Sequence, residues 1–151
     1  MSVTVPVDLV PQLAAGIAAR YVRTLRAIDR LDALDGRSGP IASEELRDDP
    51  RAADALAREL VARLLRVGSD ARLAPLLRAL VTADERSIAG LAVGQGASRL
   101  ALLRRADDLV DVGLADRDPE HDTLTATPLG VDLVTLLEQL ESATATGLAA
   151  R

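Results

Sequence analysis

Residues 87–130, SIAGLAVGQGASRLALLRRADDLVDVGLADRDPEHDTLTATPLG, decide how this chain is read. A short apolar segment, Ser87 to Val93, is interrupted by Gly94-Gln95-Gly96. Ser98 can then cap a longer helix in which Leu102, Ala106 and Leu109 form one apolar stripe, closed by Gly113. Leu114 to Arg117 leads to a turn at Asp118-Pro119-Glu120-His121-Asp122, followed by the alternation Thr123-Leu124-Thr125-Ala126. Such alternation after a turn is a β-ribbon signal. Thr127-Pro128 joins a cap to proline at the first helical position, and Leu129, Leu133, Leu136, Leu137 and Leu140 stripe the last helix.

Upstream, helical periodicity dominates. Leu13, Ile17, Tyr21, Leu25, Ile28 and Leu31 mark a helix over roughly 11–34. Its other side carries Arg20, Arg23, Arg26 and Arg30, a basic face that could touch phosphate but reads first as a solvated face. Gly36, Gly39 and Pro40 mark a loop, and a short helix is predicted from Ser43, with Glu44 and Glu45 at the positive end of its dipole. Asp49-Pro50 opens a helix striped by Ala53, Leu56, Leu60, Val61 and Leu64, with Gly68 placed to end it. Ser69 or Asp70 caps the next, through Leu73, Leu76, Leu77, Leu80 and Val81. The spacing divides the chain into an N-terminal helical region (1–68), a second domain (69–142) and a flexible tail (143–151). A faint echo links Leu46–Gly68 to Leu91–Gly113, with five coincident residues that an Ala/Leu-rich chain supplies easily.

Composition removes most enzymes. The 151 residues contain no Cys, Trp or Phe, one Tyr and one His, and all 18 basic residues are Arg. Thiolate nucleophiles, Cys-ligated zinc, Schiff-base lysine and a phosphate-loop lysine are therefore excluded, as is a metal site built on several imidazoles. The expectation is a non-enzyme without cofactor or metal. Carboxylates at 116, 118, 120 and 122 alternate as in a calcium loop, but Pro119 is rigid and the required Gly is absent. Asp107 and Asp108 are helix neighbours that point apart, which disfavours an acid/base pair.

The net charge of −5 gives no global attraction to nucleic acid, and residues 114–151 hold two Arg against seven acids. Met1 to Pro11 lacks a basic n-region, and no apolar run approaches the ~18–20 residues of a membrane span. A cytoplasmic protein without membrane contact is the default expectation.

The order short helix, turn, longer helix, two-stranded ribbon, helix is that of a winged helix. Leu91-Ala92, Leu109-Val110-Asp111-Val112-Gly113-Leu114 and Thr127-Pro128-Leu129-Gly130 resemble the corresponding segments of MarR- and PadR-like winged helix-turn-helix regulators. The resemblance covers roughly residues 70–142. Gly39-Pro40-Ile41-Ala42-Ser43-Glu44-Glu45-Leu46 is similar to the opening of the winged-helix dimerisation domains of O-methyltransferases, without the nucleotide loop of the catalytic part. The implied fold is mainly α, a winged helix-turn-helix with a short β-wing and an N-terminal helical extension. The implied function is a DNA-binding transcriptional regulator, homodimeric through its N-terminal helix.

In that reading the 98–112 helix enters a major groove. Ser98 and Arg99 face base edges, Arg104 and Arg105 face phosphate or pack, and Arg117 is the one basic residue of the wing. Against it stand Gln95 in the turn, Leu100 and Leu103 on the reading helix, and four carboxylates on a wing that phosphate repels. The alternative is a winged-helix interaction module that binds protein through the Leu100/Leu103 face and does not bind DNA.

Overall fold

The computed structural model describes residues 8–34, 49–82 and 86–149, with 24–34 as backbone only. Within them the chain is mainly helical with one small antiparallel sheet. The elements are α1 (Leu9–Leu34), α2 (Pro50–Ser69), α3 (Leu73–Thr82), α4 (Ile88–Gly94), α5 (Arg99–Val112), β1 (Ala115–Asp118), β2 (Thr123–Ala126) and α6 (Pro128–Ala149). The helix expected at Ser43 and the Gly39–Leu46 stretch lie outside the described residues, as do the side chains of Leu25, Arg26, Ile28, Arg30 and Leu31.

Local chemistry sets most boundaries. Asp49 Oδ1 accepts from the backbone N–H of Arg51 (2.9 Å) and Ala52 (3.3 Å), with Pro50 at the first helical position. Asp70 Oδ1 accepts from Arg72 (2.8 Å) and Leu73 (3.1 Å) and so opens α3. Ser87 Oγ caps α4 at Gly90 N (3.0 Å), and Ser98 Oγ caps α5 at Ala101 N (3.2 Å). Gly113 stops α5 in the left-handed region, at φ 81°.

Two glycines depart from the sequence reading. Gly68 does not end α2, which runs on to Ser69 and is capped at Asp70. Its value is its size, because a Cβ there would come within 2.6 Å of Leu133 Cδ2. Gly68 and Gly113 therefore do different work, and the sequence echo has no counterpart at these positions. The last helix continues to Ala149, so the segment assigned to a tail is helical through 143–149, with its side chains exposed.

The core is aliphatic. Leu76, Leu77, Ile88, Leu102, Leu109, Leu114, Leu124 and Leu133 are fully buried, drawn from α3, α4, α5, α6, β2 and the link before β1. Each such side chain contributes roughly 1.5–3 kcal/mol by leaving water. Tyr21 does not anchor this core; it is half-buried and lines an apolar cleft between α1 and α2.

β1 pairs with β2 in the register Ala115↔Ala126 to Asp118↔Thr123. Residues 86–88 are stitched to the ribbon, since Leu124 N donates to Arg86 O (2.8 Å) and Ile88 N to Asp122 O (2.9 Å). Thr127 locks the ribbon to α5 and α6. Its buried hydroxyl donates to Gly113 O (2.6 Å) and accepts from Gly130 N (3.1 Å). Gly130 is required there because a Cβ would collide with the Leu114 carbonyl oxygen.

Candidate nucleic-acid interface

The helix α5 has a buried side and an outward side. Leu102, Ala106 and Leu109 face the core. At 3.6 residues per turn the opposite stripe is Leu100, Arg104, Asp107, Asp108 and Asp111, all exposed. It is basic and apolar toward the N-terminus and acidic toward the C-terminus. Only the N-terminal half can approach an anion.

On the flank facing the ribbon, the arginines are already engaged. Arg99 Nη2 donates to Asp122 Oδ2 at 2.9 Å. Arg117 reaches toward the same residue, with Nη2 3.9 Å from Asp122 Oδ1 and Nη1 3.8 Å from Asp107 Oδ1. Its buried Nε has no hydrogen-bond partner among the described residues. Asp122 holds a positive φ of 52° at the end of the turn, a conformation Asp tolerates better than most residues. Two residues expected to face DNA therefore converge on one carboxylate of the wing.

The tip is a second local cluster. Asp118 Oδ1 accepts from Glu120 N (2.9 Å) and His121 N (3.3 Å), and His121 Nδ1 lies 2.6 Å from Asp118 Oδ2. The His121 side chain, aided by these backbone donors, holds the Asp118 carboxyl below its ordinary value.

The other flank differs. Ser98, Leu100, Ala101, Arg104, Arg105 and Asp108 of α5 face Asp70, Arg72 and Leu73 across a cleft of about 540 Å³. Arg104 and Arg105 form no ion pair among the described residues. Leu103 is not part of this face. It packs against the core, and Leu100, 63% exposed, stands without it.

The five sequence-selected residues thus divide. Ser98, Arg104 and Arg105 share a cleft, whereas Arg99 and Arg117 are tied to the wing. Sequence reasoning missed Arg72 across the cleft and Asp122 as the partner of both tied arginines. The surplus of acids in the wing was the available signal for Asp122; Arg72 had none.

Among the described residues no group of three or more His, Asp or Glu is placed to hold a metal ion, and no helix is long and apolar enough to cross a membrane. Comparison with family models, with curated proteins and with solved structures found no match.

Proposed function

We propose that this chain is a DNA-binding transcriptional regulator of the winged-helix class, acting as a homodimer. The observation that carries the reading is the N-terminal half of α5, where Ser98 and Arg104 are exposed, Arg105 is half-buried, and neither arginine forms an ion pair among the described residues. It follows the short α4 after a turn and precedes a two-stranded ribbon, the order in which such helices present their first turns to a major groove. Self-association is supported by an apolar cleft between α1 and α2, rimmed by Val22 and Val61, both exposed.

In this reading the wing does not contact phosphate. Its carboxylates repel the backbone, and Asp122 withholds Arg99 and Arg117. Base-edge contact by Arg99 requires exchange of Asp122 for a nucleic-acid acceptor, which charge-matched hydrogen bonding permits. A second reading, a winged-helix interaction module without nucleic acid, is favoured by Leu100 and by Val93, the latter 83% exposed.

The test compares variants on duplex DNA. Arg104→Ala is expected to weaken all duplexes about equally and to flatten the salt dependence by about one unit of log–log slope. Arg99→Ala is expected to cost roughly 1–3 kcal/mol at a preferred sequence. Absence of duplex binding by the wild type points to the interaction module, in which Leu100→Asp abolishes partner binding without unfolding the chain.

A further inference from the structure

The cleft beside α5 holds a residue that the regulator reading does not assign. Arg72 lies in the turn between α2 and α3 and faces Arg104 and Arg105 across about 540 Å³. None of the three forms an ion pair among the described residues. Two carboxylates line the same cleft, Asp70 and Asp108. Asp70 is held at the start of α3, where its Oδ1 accepts the Arg72 and Leu73 backbone N–H groups. Both carboxylates still count in the charge of the cleft, which sets three arginines against two acids.

The charge does not persist along the groove. Farther along α5 an adjoining cleft sets Arg63 and Arg66 against Asp70, Asp108 and Asp111, so excess positive charge is confined to the Ser98–Arg105 end. Three arginines from two segments line one cleft against two carboxylates, with no ion pair among the described residues, and guanidinium groups suit a tetrahedral oxyanion.

We propose that this cleft is a phosphate seat, with Arg72 closing over a phosphate from the side opposite Arg104 and Arg105. The proposal rests on the regulator reading only for the source of the phosphate, which there is the duplex backbone. A helix lodged in a major groove has a phosphate strand on each flank. On the ribbon flank the carboxylates of the wing repel it, and on the α3 flank the guanidinium of Arg72 attracts it. A free phosphorylated small molecule presents the same chemistry.

The experiment uses the full chain with two probes, a random 20-base-pair duplex over 50–200 mM salt and inorganic pyrophosphate. The variants are Arg72→Gln and Arg72→Glu, with Arg66→Gln as the control from the adjoining cleft, where acids outnumber arginines, and thermal unfolding as the check on folding. The expected result is severalfold weaker duplex binding for Arg72→Gln, a log–log slope lowered by about 1, and little change for Arg66→Gln. If wild type binds duplex and folded Arg72→Gln and Arg72→Glu bind it equally well with the same slope, the seat is overturned and the regulator reading stands. If wild type ignores duplex but binds pyrophosphate in a manner lost in Arg72→Gln, the seat stands and the regulator reading falls. If neither probe binds wild type, both are overturned.

Discussion

Arg20 of α1 donates from Nη2 to the Val110 carbonyl oxygen, 90 positions away, and its side chain lies over Gly113. The Val110 carbonyl also accepts the Gly113 backbone N–H, so Arg20 adds a second donor there and complements the negative end of the helix dipole. A Cβ at Gly113 would overlap the Nε, Cδ and Cζ atoms of Arg20. One glycine thus permits both the left-handed stop and the arginine that clamps it. Gly113→Ala is expected to cost roughly 1–2 kcal/mol from backbone strain alone, and more while Arg20 is present. In an Arg20→Ala background only the strain cost remains. Urea unfolding of the four proteins in this cycle measures the difference, and equal costs in both backgrounds would contradict the clamp.

The wing tip carries a pH signature. His121 and two backbone donors depress the Asp118 carboxyl, so the contacts that hold the turn are present above the ordinary carboxylate range. They are lost as pH falls through the depressed folded value. Carboxyl carbon NMR should place the Asp118 midpoint below 3.8 in wild type and move it upward in His121→Ala. An identical midpoint in the two proteins would show that His121 does not hold the carboxylate.

The homodimer is tested by mass. Sedimentation equilibrium should give twice the 15.9 kDa chain mass. Val61→Glu, which places a charge on the rim of the apolar cleft between α1 and α2, should shift the population to monomer with the helical signal retained. A wild-type chain that sediments as a monomer, or a variant that stays dimeric, would remove the cleft from the interface.

What the sequence revealed, and what it hid, follows from the range of each interaction. Asp49, Ser87, Ser98 and Thr127 act on N–H groups two or three residues ahead, so their caps are readable from neighbours alone. The Leu102, Ala106 and Leu109 stripe is legible for the same reason, since the helical period is local. Gly68 misled because a glycine near a helix end resembles a stop signal, whereas its role is to admit Leu133 from a helix distant in sequence. Arg20 read as a solvated face because nothing near it announces α5. Leu100 and Leu103 looked equivalent at three-residue spacing, yet about 60° of helix rotation separates a projecting side chain from one packed on the core. The candidate site divided along the same line. Ser98, Arg104 and Arg105 came from helix position, while Asp122 and Arg72 enter it only through tertiary approach.

The most direct measurement of the central claim is the affinity of wild type and Asp122→Asn for a random duplex across a salt series. Removing the Asp122 charge frees Arg99 and leaves Arg117 with Asp107, adding about one phosphate-seeking charge to a helix that already carries Arg104 and Arg105. The regulator account predicts weak wild-type binding that falls steeply with salt. It predicts tighter binding by Asp122→Asn, with a log–log slope steeper by about 1. Absence of duplex binding by both proteins at 50 mM salt would contradict it.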